Sequence, residues 1–291
     1  MQLSELDAHR RTVATRSGQI SYIDIGTGPV ALFVHGIATN AYLWRHVISA
    51  LTSQRRCIAV DLPLHGRSPV TEEQDLSLAA LAAGLDDLCE ALGLTGIDLV
   101  ANDTGGAIAQ IFAARHPQRL ATLTLTNCDT GDNLPPDAFK PMIELAAAGD
   151  LAPSAVAMFG DLEAAAQISF GSAYEHLDRI DRDVIRSYLE PCIGTIERAR
   201  QFERLLVCLD ANDLKAVTPQ LRELTVPTLL VWGTGDTFFE VSWAYWLRDT
   251  IPGTTRVVTV DGARLFFPDE RPLDLVPHLE RHWAAVTAAR S

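Results

Sequence analysis

The chain has 291 residues, of which 47% are hydrophobic and 21% charged, and it carries a net charge of -13. These fractions are typical of a folded globular protein and exclude an intrinsically disordered chain. The acidic balance disfavours nucleic acid and anionic membranes as partners, because both are themselves negatively charged. The length suits one large α/β domain, or a core with an inserted subdomain.

The cysteines are scattered and odd in number, at Cys57, Cys89, Cys128, Cys192 and Cys208. They show no Cys-x-x-Cys pairing, so we interpret them as buried, reduced thiols. No stretch approaches the roughly 20 apolar residues of a membrane-spanning helix. The first twelve residues are polar and mixed in charge, unlike a signal peptide, and we therefore expect a cytoplasmic protein.

Short apolar runs bounded by turn residues predict strands, and amphipathic spacing between them predicts helices. Strands are predicted over residues 19–25, 30–34, 57–60, 97–101, 120–125, 228–232 and 256–260. Helices are predicted over residues 43–51, 76–92, 107–115, 243–249 and 273–289. This alternation indicates an α/β fold with a mostly parallel central sheet and helices on both of its faces.

The pattern changes in the middle of the chain, where residues 135–214 contain helical runs and no strand-like run. We therefore predict an α/β core formed by residues 1–134 and 215–291, with residues 135–214 inserted as a helical cap. In open sheets of this kind, ligands bind at the carboxyl ends of the strands. The residues that directly follow each strand are therefore the candidates for a functional site.

One such segment, residues 99–106, reads LVANDTGG and joins a strand to a helix through a tight turn. Ala101 and Gly105 flank Asp103 at two positions on either side, and such small residues allow a sharp turn. The turn would present Asp103 at the start of a helix, where free backbone N–H groups and the helix dipole favour an anion. For an isolated aspartate, a plain helix N-cap would be the simpler interpretation.

This segment resembles the nucleophile elbow of the α/β-hydrolase fold, usually G-x-S-x-G, with Asp in place of Ser. The same replacement is found in haloalkane dehalogenases, fluoroacetate dehalogenases and epoxide hydrolases. His35-Gly36 resembles the family's oxyanion loop, residues 39–45 (TNAYLWR) resemble a dehalogenase segment, and residues 61–68 (DLPLHGRS) resemble the D-x-x-G-H-G-x-S turn. The resemblance covers nearly the whole chain and is weakest in the predicted cap.

The resemblance implies a site around Asp103. In the family, the carboxylate attacks an sp³ carbon to give an ester, which a histidine-activated water then hydrolyses. The backbone N–H groups of Ile37 and Thr104 occupy the positions of the donors for the developing anion. Asp236, in the segment WGTGD, is similar to the family's acid, and Asp129 is a second candidate acid at a strand end.

Several positions depart from the patterns of the individual branches. Haloalkane dehalogenases hold the halide with a Trp after the nucleophile and an Asn after His-Gly, positions that are Thr104 and Ile37 here. This counts against simple haloalkane chemistry. Epoxide hydrolases usually show His-Gly-x-Pro, with Ala38 at the last position here, and use cap tyrosines as acids. Tyr174 and Tyr188 lie in the predicted cap, where packing is the commoner role of a tyrosine.

The family's histidine position is also altered. The segment GARLF, residues 262–266, fits the family pattern G-x-x-H-F except that Leu265 stands in the place of the histidine. Among the histidines elsewhere, only His176 in the predicted cap is placed to approach the site from above. Trp44, Leu265 and Phe266 lie near the site by family position, so we predict an apolar pocket and a small, mostly hydrophobic substrate.

Without the histidine, a carboxylate can still attack a substrate, but hydrolysis of the resulting ester should stall. One interpretation is that Asp129 or Asp236 activates water instead. Another is that Asp103, its pKa raised under an apolar cap, serves as a general acid–base in elimination, isomerisation or ring closure. Two more are an inactive ligand-binding relative and an engineered replacement at Leu265.

We favour an α/β-hydrolase-family enzyme centred on Asp103, because Asp103, Asp236 and the oxyanion-loop residues all fit the family pattern. The sequence contains no metal-binding cluster, phosphate loop or dinucleotide fingerprint, so no cofactor and no metal are expected. The expected partner is a small-molecule substrate, and the patterns predict no oligomeric state.

Overall fold

A computed structural model describes residues 2–290. Its strands are β1 Arg10–Thr15, β2 Gly18–Ile25, β3 Val30–Val34, β4 Arg56–Val60, β5 Ile97–Asp103, β6 Leu120–Cys128, β7 Thr228–Gly233 and β8 Thr254–Val260. Within the described residues they form one sheet in the order β1-β2-β4-β3-β5-β6-β7-β8. The β1–β2 and β2–β4 pairs are antiparallel, and all other neighbours are parallel. The predicted mostly parallel α/β architecture is therefore confirmed.

The helices flank this sheet and also fill the long connection between β6 and β7. They are α1 Leu3–Asp7, α2 Arg45–Leu51, α3 Leu78–Ala91, α4 Thr104–Arg115, α5 Lys140–Ala148, α6 Leu151–Phe159, α7 Leu162–Phe170, α8 Arg182–Ile193, α9 Ile196–Val207, α10 Ala211–Leu221, α11 Val241–Thr250, α12 Phe267–Glu270 and α13 Val276–Arg290. Short 3₁₀ turns lie at Ala41–Trp44, Pro117–Arg119, Asp137–Phe139, Leu177–Arg179 and Pro272–Asp274.

The connection between β6 and β7 holds α5 to α10 and, in the part of the chain that the structure describes, no named strand. The assignment of residues 135–214 to a separate cap unit stays a prediction. No single described helix is both long and apolar enough to cross a membrane. One bent pair, Asp137–Ala148 with Leu151–Phe159 at 112°, meets that test on length and composition alone.

The central strands form the core. Every residue of β5 and of β7 is buried, because helices cover both faces of the sheet at these positions. The edge strands differ: β1 has no fully buried residue, and β8 has only one. The polar sequence of β1 explains why its pattern did not predict a strand, since an edge strand needs no continuous apolar run.

The strand predicted over residues 97–101 and the helix predicted to follow it meet without a loop. β5 extends to Asp103 and α4 begins at Thr104, three residues earlier than the helical pattern suggested. The glycines in this turn explain why the sequence pattern predicted a later start for the helix, since glycine is a poor helix former. Asp103, the last residue of β5, is therefore also the residue directly before α4.

The segment that follows β8 ties the helical connection to the sheet. The Phe266 N–H donates to the carbonyl oxygen of Ala173 at 3.0 Å. The carboxylate of Glu270 accepts the backbone N–H groups of Glu175 and His176, each at 2.7 Å. These contacts fix the position of the chain around residue 265 relative to the helices that pack over it.

Close approach between α4 and β3 depends on Gly105. A Cβ at this position would overlap the carbonyl oxygens of Val34 and His35. The sequence argument that small residues are needed beside Asp103 is therefore confirmed at Gly105. By contrast, a Cβ at Gly84 in α3 would find its nearest neighbour, the Ser17 side chain, at 3.7 Å.

We expect Gly105→Ala to lower the free energy of unfolding by about 1–3 kcal/mol or more, because backbone atoms on both sides would have to move. The matched control is Gly84→Ala, which fits without overlap and should raise it by about 0.5–1 kcal/mol through helix propensity. Urea unfolding of both variants measures the difference. Equal stability of the Gly105→Ala variant and the unmodified protein would contradict the close approach.

Candidate active site

Asp103 lies at the carboxyl end of β5 in an unusual backbone conformation, with φ 57° and ψ -138°. A non-glycine residue in such a region costs of order 1–3 kcal/mol, which the surrounding structure must offset. Its side chain makes no capping hydrogen bond to α4. The plain N-cap interpretation is therefore wrong, and the turn instead aims the carboxyl group toward the loop after β3.

That loop supplies a hydrogen-bond donor to Asp103. The Ile37 N–H donates to Asp103 Oδ2 at 2.9 Å, and the neighbouring Thr104 backbone also lowers the pKa of the carboxyl group. A Cβ at Gly36 would overlap the Asp103 side chain, so the loop approaches the carboxyl closely only because this residue is glycine. Of the two backbone groups named from the sequence, the Ile37 N–H thus hydrogen-bonds to Asp103, while the catalytic role of both stays a prediction.

Two buried histidines shape the loop. His35 Nε2 accepts the Leu62 N–H at 3.0 Å, and His65 Nε2 accepts the Ala38 N–H at 3.1 Å. Burial lowers the pKa of both imidazoles to about 3, so both are neutral. With Nε2 already engaged by a backbone donor in each ring, these histidines hold the oxyanion loop and offer no general base.

Asp129 follows β6 and lies beside the elbow. The Thr104 hydroxyl donates to Asp129 Oδ2 at 2.8 Å, and the Gln110 amide donates to the backbone carbonyl of Asp129 at 2.8 Å. Asp129 Oδ1 is buried without a hydrogen-bond partner in the described structure. The Thr104 hydroxyl, which the sequence analysis did not consider, thus links the turn after β5 to this second carboxyl group.

Asp236 follows β7 and is held at both oxygens. The Asn127 amide donates to Asp236 Oδ2 at 2.8 Å, and the Phe238 N–H donates to Oδ1 at 2.8 Å. Sequence reasoning did not identify Asn127. The available signal was its place two residues before Asp129 at a strand end, but only the fold shows that its amide reaches the next strand.

Leu265 is 2% exposed, and its backbone carbonyl accepts the Asn102 amide at 3.0 Å. An apolar side chain is thus packed where the family pattern has an imidazole. His176, the one substitute considered from the sequence, is exposed, and its N–H is bound by Glu270. In the structure of residues 2–290, no histidine hydrogen-bonds to the carboxyl of Asp103.

The three carboxyl groups share an environment that disfavours negative charge. Burial, with a contribution from the charge of Asp236, raises the pKa of Asp103 to about 7. Burial also raises the pKa of Asp236 to about 6 and that of Asp129 well above its usual value. No Arg, Lys or His among the described residues forms an ion pair with any of the three. Desolvation is therefore opposed only by neutral hydrogen-bond donors.

The aromatic residues named from the sequence are buried. The Trp44 ring lies 5.3 Å from that of Phe33. The Phe266 ring lies 5.1 Å from that of Tyr174, and the Tyr188 ring lies close to Phe170 of the same aromatic group. These contacts surround Phe266 with apolar side chains from the helical connection.

A buried ion pair lies beside Tyr174. Arg45 and Asp269 form a buried ion pair at 2.5 Å, and the Tyr174 hydroxyl donates to Asp269 at 3.0 Å. Burial raises the pKa of both Tyr174 and Tyr188 well above the usual range, which makes them weaker acids. The Tyr174 hydroxyl is thus engaged away from Asp103, and packing explains its burial. The Arg45–Asp269 pair was not predicted from the sequence, although Arg45 lies in the segment 39–45 that the sequence analysis singled out.

Metal binding finds no support in the geometry. Among the described residues, no group of three or more His, Cys, Asp and Glu side chains is arranged to hold a metal ion.

The raised pKa of Asp103 should make stability depend on pH. Its pKa is about 7 in the folded chain and close to 3.8 in a free aspartate. The folded state therefore binds more protons between these values, and the free energy of unfolding falls as the pH rises. Asp103→Asn removes this penalty and should raise the free energy of unfolding by roughly 2–4 kcal/mol at about pH 8, with little effect near pH 4.

Urea unfolding at both pH values measures this effect. Glu72→Gln, at an exposed loop position, is the matched control and should change neither value. A pH-independent difference between Asp103→Asn and the unmodified protein would contradict the raised pKa.

The buried Arg45–Asp269 pair allows a separate prediction. Asp269→Asn leaves the guanidinium of Arg45 buried without a counter-charge, which should cost about 3–5 kcal/mol of unfolding free energy. Lys140→Ala breaks the exposed pair with Asp137 and should cost almost nothing, because solvent screens that pair. Thermal unfolding of the two variants compares them, and similar losses would show that the Arg45–Asp269 pair is not structurally important.

Comparison with known proteins agrees with this geometry. The model of the alpha/beta hydrolase fold family matches residues 29–271. Epoxide hydrolase 3 of Xenopus tropicalis is 25% identical over 264 residues, covering 85% of this chain and 69% of the relative. Haloalkane dehalogenase of Mesorhizobium japonicum is 36% identical over 115 residues, covering 39% of this chain and 37% of the relative.

A solved structure extends the match to the whole fold. The haloalkane dehalogenase DbeA from Bradyrhizobium elkani superposes with a TM-score of 0.81 and 21% identity, covering 96% of this chain and 99% of that one. The sheet order, the strained residue at the end of β5 and the family match over residues 29–271 lead to one conclusion. The chain belongs to the alpha/beta hydrolase fold family.

Proposed function

We propose that this chain is a cofactor-independent enzyme in which Asp103 transfers a proton on a small, mostly apolar substrate as a general acid–base. The observation that carries the proposal is the packing of Leu265 in the position of the family's histidine. An ester formed on Asp103 would lack the base that activates water. A reaction in which Asp103 only takes up a proton and gives it back forms no ester, and it needs no such base.

The hydrogen bonds of Asp103 suit this role. Oδ2 accepts the Ile37 N–H at 2.9 Å, which fixes the orientation of the carboxyl group. A pKa of about 7 keeps both the acid and the base form populated at neutral pH. General acid–base catalysis is most effective when the pKa of the group lies near the working pH.

Asp236 is poorly suited to replace the histidine as an activator of water. Both of its oxygens accept hydrogen bonds, from the Asn127 amide and from the Phe238 N–H. Abstraction of a proton from water would require one of these contacts to give way. This supports a reaction without water over hydrolysis by an alternative base.

The proposed substrate class rests on the side chains around the carboxyl group. Ile37 and Leu265 stand where dehalogenases hold a halide and a histidine, and both are apolar and buried. The relatives named after epoxides and haloalkanes act on small organic molecules, which supports a substrate of similar size. Elimination or isomerisation of such a molecule fits a buried carboxyl without a cation.

A nitrobenzisoxazole is a suitable probe, because its ring opens once a carboxylate removes the ring C–H proton. The N–O bond then breaks and a coloured cyanonitrophenolate forms, with no ester and no water consumed. We expect turnover that rises with pH through about 7, as Asp103 ionises. Asp103→Asn should lower the rate by about 10²-fold or more, and Glu72→Gln should leave it unchanged.

Intact-mass spectrometry after incubation with a bromoalkane and with an epoxide separates this proposal from nucleophilic catalysis. We expect no adduct on the unmodified protein. A persistent adduct that disappears in Asp103→Asn would show that Asp103 is a stranded nucleophile and would overturn the proposal. Absence of both the adduct and the benzisoxazole reaction would favour an inactive ligand-binding relative.

A substitution at Leu265 tests the same point from the other side. In the proposed reaction Asp103 forms no ester, so an imidazole introduced by Leu265→His has nothing to hydrolyse and should give no halide release from the bromoalkane. Leu265→Gln is the matched control, since it adds polarity without a base. Halide release by Leu265→His but not by Leu265→Gln would show that Asp103 is a nucleophile that lacks only its base, and would overturn the proposal.

A further inference from the structure

We propose that Asp103 and Asp129 share one proton, with Asp129 as a neutral carboxylic acid that donates to the carboxylate of Asp103 and Thr104 as its positioning residue. The inference deepens the proposed function and rests on it for its role in proton transfer. It assigns Asp129 a part opposite to that of the family's acid, which is an ionised partner of a histidine.

The fold places Asp103 and Asp129 at the same edge of the sheet. β5 and β6 are parallel neighbours, and the register pairs Asp103 with Cys128 at their carboxyl ends. Asp129 is the next residue along the chain. The hydroxyl of Thr104, the residue directly after Asp103, donates a hydrogen bond of 2.8 Å to Asp129 Oδ2. The Asp129 carboxyl group is therefore anchored to the turn that carries Asp103.

The hydrogen bond from Thr104 uses only one of the two carboxyl oxygens of Asp129. Asp129 is 1% exposed, and its Oδ1 has no hydrogen-bond partner in the described structure. Two ionised carboxylates can only accept, so neither could satisfy the other. A proton on Oδ1 resolves this, because the O–H can donate to Asp103 while Oδ2 keeps the hydrogen bond from Thr104.

The titratable groups that face the pair carry no positive charge. They are the carboxyl group of Asp236, after β7, and the thiol of Cys128, at the end of β6. No described cation pairs with either carboxyl group. Burial and the charge of Asp103 both raise the pKa of Asp129. Two buried carboxyls without a cation hold one proton between them.

The shared proton gives the pair a defined cycle. In the resting state, the pair carries one proton and one negative charge. When Asp103 removes a proton from a substrate, the pair becomes doubly protonated and uncharged. Return of that proton to the product or to water restores the single charge. Asp129 thus stabilises the base form of Asp103 without adding a second negative charge.

Infrared difference spectroscopy on the full-length protein tests the pair without any substrate. At a pH well above 7, where Asp103 and Asp236 are both ionised, we expect the carbonyl stretch of one buried, protonated carboxyl group, shifted by labelling with γ-¹³C aspartate. Asp129→Asn should remove the band. Asp103→Asn should shift it without removing it, because the proton stays on Asp129 and its partner changes. Asp236→Asn, which alters another buried carboxyl of the site, should leave it in place.

Thr104→Val provides a second variant that leaves both carboxyl groups intact. Loss of the hydroxyl donor to Oδ2 should move the band to higher frequency. A band that is absent at this higher pH, that survives Asp129→Asn there, or that is unmoved by both Asp103→Asn and Thr104→Val would overturn the shared proton. If the bands behave as expected while the benzisoxazole reaction fails, the proposed function is wrong and the shared proton stands.

Discussion

The burial of the Asp103 carboxyl without a counter-ion is the constraint on which the rest of the site depends. In the described structure, this group is 5% exposed, and the neutral backbone groups of Ile37 and Thr104 lower its pKa. Neutral donors oppose desolvation only in part, so the charge remains costly. The group therefore titrates near neutral pH, where a proton can be both taken and returned.

The surrounding fold offsets this cost and the strain of the turn. Fully buried central strands fix the end of β5. Gly36 lets the loop after β3 approach the carboxyl group, and Gly105 lets the start of α4 approach the end of β3. Neutral His65 holds the backbone of Ala38, which keeps the neighbouring Ile37 N–H aimed at Asp103. The site is thus preorganised mainly by backbone groups, which the chain presents whatever the side chains are.

Sequence patterns predicted the strands that end near Asp103 and Asp236 and the turn from strand to helix at Asp103, because each is a local pattern at the end of an apolar run. They did not identify Asn127 as the partner of Asp236, since that contact joins residues 109 apart in the chain. The hydroxyl of Thr104 and the Arg45–Asp269 pair were missed for the same reason. β1 was missed because a polar edge strand lacks the apolar pattern that identifies a buried one.

The environments of Leu265 and Asp236 bear on the proposed chemistry. The Leu265 side chain is buried, and the carboxyl group of Asp236 accepts the Asn127 amide. Asp236 acts on Asp103 through its charge, which raises the pKa of Asp103 further. The proposed proton transfer by Asp103 rests on this raised pKa and on the absence of a histidine hydrogen-bonded to Asp103 in the described structure.

The most direct measurement of this account is the titration of Asp103 by ¹³C NMR, in full-length protein labelled at the aspartate γ-carbon and assigned with Asp103→Asn. The account predicts an inflection near the raised pKa of about 7. An inflection close to the value of about 4 for a free aspartate would contradict it, because the carboxyl would then be a fully ionised nucleophile at neutral pH.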